Sequence, residues 1–331
     1  MRIAVDVLGG DHAPYEILKG VGDALLSGSF TPEELLLVGP KEVITKQLTE
    51  MGCKELPSIS HTEVFIAGHE KPVVGLRSKP DASISLCVQA VRSGEADGLI
   101  AFGNTGATVA SATMGLGMLP GIRRPGIAVT ILGLGGRFVL LDAGANPTPK
   151  PEHLFQYSLM GEAYARDLLG HDNPRIGLLN IGGEASKGSD VLKNCHAALE
   201  NSSLNFIGNV EGNHLFSGEA EVFVADGFIG NMVLKVVEGF AEYLVTAASR
   251  SQSGDGVKST LRHLLGAADF SEVGGATLLG VNGVVLIGHG RSHANAVLPA
   301  LEAVRKDIQV GVNRHIIESL AAHQGEAPSL K

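Results

Sequence analysis

The stretch Asn180-Ile181-Gly182-Gly183-Glu184-Ala185-Ser186-Lys187-Gly188 sets one fixed charge of each sign among glycines. It follows an apolar run, Ile176-Gly177-Leu178-Leu179, that reads as a buried strand. It precedes a segment, 191–199, with apolar residues at helical spacing. Strand, glycine turn and helix start together make an anion pocket in α/β proteins: glycine lets the backbone approach a ligand closely, and the first free N–H groups of the helix point at it. An ordinary β–α turn with exposed charges accounts for the stretch equally well when it is taken alone.

Other strand exits have the same chemistry. Gly10-Asp11-His12, Gly103-Asn104-Thr105-Gly106, Asp142-Ala143-Gly144-Ala145-Asn146, Glu211-Gly212 and Asp226-Gly227 through Asn231 each set a polar or acidic residue beside glycine. Turn preference explains each one singly but not their restriction to strand exits. In an open parallel sheet the carboxyl ends of the strands share one edge, where ligands bind. Asn amides, helix N-termini and one lysine suit a small anion such as phosphate, and equally the oxyanion that develops in acyl transfer. No HExxH and no paired Cys/His set is present, so no metal is implied. GxSxG and the Walker A pattern are absent. After the first strand, Gly9-Gly10-Asp11 puts an acid where a dinucleotide pyrophosphate needs bare backbone.

The elements that must position these residues alternate along the chain. Strands are expected at 2–8, 35–38, near Ile59, at 64–66, 97–102, 127–132 paired with 138–141, 176–179, 204–208, 222–225, and on both sides of Asn282-Gly283. Helices are expected over 14–26, 41–51, 82–93, after Gly106, and over 152–169, 191–199, 231–249, 257–268 and 293–322, with 71–80 as a polar, basic loop. This order predicts an α/β fold with a largely parallel sheet. With no repeat and no long linker, residues 1–331 read as a single α/β catalytic domain carrying a helical hairpin at about 231–268.

Composition narrows the class. The net charge of −9, the absence of Trp and an aromatic content of 5% argue against nucleic acid and other polyanions as partners. Cys53, Cys87 and Cys195 are far apart and odd in number, which points to buried, reduced thiols in a cytosolic protein. The N-terminus lacks a signal-peptide layout, and no uncharged apolar run reaches the roughly 18 residues a spanning helix needs.

Together, Ala4-Val5-Asp6 with Gly9 to Pro14, Gly103 to Ala107, Asp142 to Asn146, Gly177 to Gly182 with Glu184 and Lys187-Gly188, Asn209 to Gly212, Asp226 to Asn231, and Gly275-Ala276 with Leu278 to Val281 resemble the phosphate acyltransferase family of bacterial phospholipid synthesis. The pieces come in the family's order and span about 4 to 290. Val7-Leu8 and Ala101-Phe102 depart from the family's usual residues without removing a polar group. The resemblance implies a three-layer α/β/α fold related to phosphotransacetylases and to isocitrate and isopropylmalate dehydrogenases. It implies an acyltransferase that moves a fatty acyl group from acyl-acyl carrier protein to inorganic phosphate, with no cofactor. It also implies a homodimer on the inner face of the cell membrane, in company with a downstream glycerol-phosphate acyltransferase. A coenzyme A-dependent phosphotransacetylase and a non-catalytic anion sensor are the alternatives.

On this reading Lys187 holds phosphate, and Asn104 or Asn231 stabilises the oxyanion. His12 either assists proton transfer or caps the helix at Pro14, and Glu184 and Asp11 orient Lys187 and His12. Asp11, Thr105, Asn146, Asn180, Glu184, Glu211 and Asp226 line the substrate site. Helix 231–249 belongs to a dimer core. The stripe Val257, Leu261, Leu264 and Leu265, beside Arg250, Lys258, Arg262 and His263, contacts an anionic membrane. Arg250, Lys258, Arg262 and the Arg123-Arg124 pair compete as the dock for the acidic carrier protein.

Overall fold

Continuous apolar runs mark strands covered on both faces. The computed structural model describes residues 1–250, 274–323 and 325–326, and in it such runs form fully buried strands in both compact units of the chain. The chain begins with Ile3–Asp6 (β1), Tyr15–Leu26 (α1), Leu35–Gly39 (β2), Lys41–Glu50 (α2), Ser58–His61 (β3), Pro72–Ser78 (α3), Ser83–Ser93 (α4), Gly98–Ala101 (β4) and Thr105–Leu116 (α5). It continues through the hairpin Gly126–Gly133 (β5) and Gly136–Leu141 (β6), then Pro151–Tyr164 (α6), Ile176–Asn180 (β7), Asp190–Glu200 (α7), Phe206–Glu211 (β8), Val222–Val224 (β9) and Gly227–Arg250 (α8). After Gly274-Gly275 come Ala276–Leu279 (β10), Val284–Ile287 (β11), Val297–Val310 (α9) and Val312–Ala322 (α10). Gly311, at φ +71°, breaks the last two helices apart.

The chain divides into two compact units, Met1–Met118 with Ser271–Gln309 and Leu119–Phe270 with Val310–Lys331. In the first, strands lie in the order β3-β2-β1-β4-β11-β10, all parallel except that β10 runs antiparallel to β11. Side chains alternate across each strand. Ile3, Val5, Leu35, Leu37 and Ile100 therefore face Ile17, Leu18 and Val21 of α1 and Val297, Leu301 and Val304 of α9. The opposite face is covered by α4, whose Ser83 reaches the Asp6 carboxylate. Helix, sheet and helix make three layers here, and each fully buried Leu or Ile contributes roughly 1.5–3 kcal/mol.

In the second unit the order is β5-β6-β9-β7-β8, with β5 and β6 antiparallel and the rest parallel. Helix α6 packs on β6 and β9, and α7 on β7 and β8. Because α10 covers α6 in turn, α6 is buried on nearly every face. Asp167, just past α6, holds His315 of α10 at 2.7 Å. The α/β class and the mostly parallel strands agree with expectation.

Four local expectations differ from the structure. Residues 64–66 are not a strand: Val64 N–H donates to Thr62 Oγ1 and Val64 O accepts from Ser83 N–H, so their backbone is spent on a loop. The expected loop 71–80 contains α3, because Pro72 sits in the first turn, where its fixed φ favours a helix. Strand β8 reaches Glu211, which makes Asn209 and Glu211 strand residues. Helix α8 starts at Gly227 rather than 231, since Asp226 Oδ1 accepts the Ile229 N–H at 2.8 Å and caps it. The expected helix 257–268, with Lys258, Arg262 and His263, lies outside the described residues. Among the described residues no helix is long and apolar enough to cross a membrane.

Candidate active site

The polar strand exits fall into two groups, one in each unit. In the first unit the exits of β1, β4 and β11 are tied together. A Cβ on Gly9 would sit 2.7 Å from Gly103 N, so only glycine permits this backbone-to-backbone approach. Asp11 N–H donates to Gly290 O at 2.7 Å. Beneath them Asp6 is 3% exposed and accepts the Leu8 N–H at 3.1 Å. Burial pushes its carboxyl up to about 6, against the hydrogen bonds from Ser83, Leu8 and Gly9.

Asp11, His12 and Thr105 are exposed at this edge. His12 does not cap α1: the cap position is Pro14, without a side-chain bond. Its ring instead stacks on His293, with centroids 4.3 Å apart and 18° between planes. His293 Nδ1 lies 3.5 Å from Glu16 Oε2, and that oxygen accepts the Ala294 N–H at 2.9 Å.

Asn104 has a different surrounding from the one its position suggests. Its Oδ1 accepts the Ala107 N–H at 3.0 Å and caps α5. Its Nδ2 donates to the carbonyls of Ala67, Gly68 and Glu70 at 3.1, 3.2 and 3.1 Å. Both ends of the amide are therefore committed to the chain's own backbone.

In the second unit the exits of β6 and β9 interlock. Asp142 is fully buried. Its Oδ1 accepts N–H bonds from Ile127, Gly144 and Ala145, each at 2.9 Å, and its Oδ2 accepts one from Asn146 at 2.7 Å. Burial raises this carboxyl, and the four N–H groups oppose the rise. Asn146 reaches Tyr157 Oη at 3.3 Å and His153 Nδ1 at 3.4 Å, and its carbonyl accepts the Gly227 N–H. A Cβ on Gly227 would meet Asp142 Oδ2 at 2.6 Å, and one on Gly230 would overlap the Asp142 carbonyl. The first turn of α8 thus lies directly on the 142–146 turn. This brings Asn231 against Gly144, its Oδ1 3.7 Å from where a Gly144 Cβ would be. Asn231 is exposed, and its amide makes no hydrogen bond among the described residues.

The 180–188 loop is held from within and from below. Asn180 Oδ1 accepts the Ile181 N–H at 2.8 Å while its Nδ2 donates to Lys187 O at 3.2 Å. Asn209 Nδ2 donates to Glu184 O at 2.9 Å, and His196 Nδ1 lies 3.1 Å from Asn209 Oδ1. Gly188 is at φ +85°, and a Cβ there would meet Asn180 Oδ1. Glu184 and Lys187 are joined through the backbone, Lys187 N–H to Glu184 O at 3.0 Å. Their side chains are exposed and form no ion pair among the described residues. Helix α7 is capped by Ser189 and opens with Asp190, so its N-terminus is already supplied with an acceptor and a negative charge. Glu211 is exposed at the end of β8.

The candidates thus sort by what they touch. Asn104, Asn146, Asn180 and Asp226 build the turns. Lys187, Asn231, Glu184, Glu211, Asp11, His12 and Thr105 present side chains outward. Asp142, Asn209 and His196 support these turns, and sequence reasoning did not select them. Asp142 and Asn209 stood inside the recognised motifs, whereas His196 gave no signal. The three thiols are buried, and burial raises each, which fits inert packing roles. Among the described residues no three His, Cys, Asp or Glu side chains gather as a metal site.

Comparison with known proteins now adds to the geometry. The family model described as "Fatty acid synthesis protein" matches residues 1–315. The phosphate acyltransferase of Desulforudis audaxviator is 43% identical over 320 residues, covering 93% of this chain and 94% of that protein. That of Desulfitobacterium hafniense is 41% identical over 329 residues, covering 97% and 98%. Among solved structures, a phosphotransacetylase from Streptococcus pyogenes superposes with a TM-score of 0.60 at 16% identity, covering 97% of this chain and 94% of its own, which is a likeness of fold. By its match to the family model over residues 1–315 and to these relatives over 93% and 97% of its length, the chain belongs to the phosphate acyltransferase family.

Proposed function

We propose that this chain transfers a fatty acyl group from a thioester on acyl carrier protein to inorganic phosphate, giving acyl phosphate for phospholipid synthesis. The relatives' name supports acyl transfer to phosphate. The observation that carries the site reading is the 180–188 loop. Its backbone is fixed by Asn180 and Asn209, while the Lys187 ammonium stands exposed and unpaired among the described residues.

Phosphate is an anion with a second ionisation near neutral pH, so it attacks a thioester carbonyl without strong base help. The protein must supply position and charge neutralisation. Lys187 holds the phosphate. The oxyanion formed by attack takes a hydrogen bond from Asn231, whose amide makes none among the described residues, and not from Asn104, whose amide has its partners already. The C–S bond then breaks and the thiolate leaves with the electron pair, needing little acid assistance. Proton transfer is the role we keep for His12, since its ring takes no part in the α1 cap. Glu184 and Glu211 in the second unit, and separately Asp11 and Thr105 in the first, are the exposed polar groups we propose for substrate contact.

We also propose a homodimer and peripheral contact with an anionic membrane. Phe228, Met232, Val236, Phe240 and Tyr243 expose one apolar stripe along α8, which supports an interface there. The deciding experiment for the reaction is release of free thiol from an acyl thioester in the presence and absence of phosphate. Phosphate-dependent thiol release with formation of acyl phosphate is expected. Phosphate-independent release, or none, rejects the reading, and comparing acyl-carrier with acyl-coenzyme A donors fixes the donor.

A further inference from the structure

Arg123, Arg124 and Lys150 are exposed side chains in a chain whose net charge is −9. They come from two segments, the loop before β5 and the residue before α6, yet both segments are anchored on the first turns of α6: Lys150 N–H donates to His153 Nδ1 at 3.0 Å and Arg123 N–H to Gln156 Oε1 one turn further on. The carboxylate among these groups, Glu152, is turned inward: its Oε1 is 3.4 Å from His153 Nε2 and its side chain is only 14% exposed. What faces outward is therefore basic. The arginine loop is also fixed. Gln156 accepts the Arg123 N–H at 2.9 Å and donates to Gly121 O at 2.8 Å, and Tyr157 O–H donates to Pro125 O at 3.1 Å. A partner meeting these side chains pays little to order their backbone.

The patch joins the site turn directly. His153 Nδ1 lies 3.4 Å from Asn146 Nδ2, and Asn146 belongs to the turn on which Asn231 rests. Resting on the reading of the preceding section, we propose that Arg123, Arg124 and Lys150 are the docking surface for an acidic carrier protein, which delivers its thioester to the Asn146–Asn231 side of the second unit. Opposite charges steer such an encounter and set its register, so the effect falls on association and on salt dependence rather than on the chemical step.

The test compares wild type with the triple variant Arg123→Ala, Arg124→Ala, Lys150→Ala on three donors: acyl-carrier protein, acyl-coenzyme A and acyl-pantetheine, the last having no protein and no nucleotide. KM for the carrier donor is expected to rise at least about tenfold, and its dependence on ionic strength to flatten. The kcat with the carrier, and kcat/KM for acyl-pantetheine, are expected to stay within about twofold. Equal losses on acyl-pantetheine, an unchanged KM for the carrier, or a loss on acyl-coenzyme A as large as on the carrier overturn the proposal. Reduced binding to anionic vesicles with unchanged carrier kinetics overturns it in favour of a membrane surface. The variant Arg123→Lys, Arg124→Lys, Lys150→Arg keeps the charge and must keep carrier binding, which separates docking from a folding defect. Titration of wild type with the unacylated carrier reads docking without turnover. If the carrier binds and the triple variant loses that binding while no thioester is turned over, the reaction assignment fails and the docking surface stands.

Discussion

Asn104 donates its amide nitrogen to the carbonyl of Glu70 at 3.1 Å, across 34 residues of sequence. The same nitrogen reaches Ala67 O and Gly68 O, and Lys79 closes the segment from its other end through Glu70 at 2.7 Å and Phe65 O at 3.0 Å. The 65–71 segment is thus clamped onto the start of α5. Asn104→Ala removes a helix cap and the NH2 group that serves three carbonyls, and is expected to destabilise the protein by roughly 1–3 kcal/mol. Asn104→Asp keeps the cap on Ala107 but sets a carboxylate against three carbonyls, and is expected to cost at least as much. Hydrogen exchange should quicken in 65–71 for both variants. A variant with lost activity but wild-type stability and exchange would return Asn104 to a chemical role.

Lys187 offers the opposite pattern. Its side chain is exposed and makes no ion pair or hydrogen bond among the described residues, so Lys187→Ala should leave the urea midpoint unchanged. If it anchors phosphate, kcat/KM for phosphate should fall by about 100-fold or more, and Lys187→Arg should restore part of it. Near wild-type turnover of Lys187→Ala would sink the assignment.

Much of this was legible in the sequence, and the exceptions have physical causes. Strands buried on both faces must be apolar throughout, so Leu35-Leu36-Leu37-Val38 declares itself. Glycines are ambiguous. The run Gly227-Phe228-Ile229-Gly230-Asn231 has the composition of a turn, yet it is helix, capped by Asp226. Its glycines answer a close approach to Asp142 and Asn146, more than 80 residues earlier in the chain, and no local pattern records that. Asn104 misleads for a related reason: a polar residue at a strand exit reads as reactive, and its partners at 67–70 are invisible to spacing. Lys187 and Asn231 could be named as candidates from their place at strand exits, but that their side chains stand exposed, without hydrogen bonds among the described residues, is visible only in the fold.

Asp142 organises the second unit's turn by accepting four backbone N–H groups. In Asp142→Asn the amide oxygen can keep the Ile127, Gly144 and Ala145 bonds, but the NH2 then faces the Asn146 N–H, donor against donor. A loss of roughly 1–3 kcal/mol is expected, with Asn146 released from its place under α8. Asp142→Ala leaves all four N–H groups without their acceptor and should cost more. Urea unfolding of both variants ranks them, and equal stability of the two would mean that the N–H groups find water instead.

Asp307 on α9 is 5% exposed, accepts the Thr277 hydroxyl at 3.0 Å, and burial pushes its carboxyl up from 3.8 to about 7. A carboxyl raised on folding stays protonated in the native state while the unfolded chain has already released its proton. The contribution of this group to stability therefore falls as pH rises from about 4 to about 7, by at most roughly 1.4 kcal/mol per pH unit, and no further above that range. Asp6, raised to about 6, adds a slope of the same sign over the lower part of the window. Asp307→Asn keeps an acceptor for Thr277 and has no proton to lose, so its stability should fall less than that of wild type between pH 5 and pH 8. Urea midpoints of both proteins at the two pH values measure this double difference, in which the Asp6 contribution cancels. The variant should be the more stable protein at pH 8, and parallel pH dependence in the two would show that Asp307 ionises in the fold at its ordinary pKa.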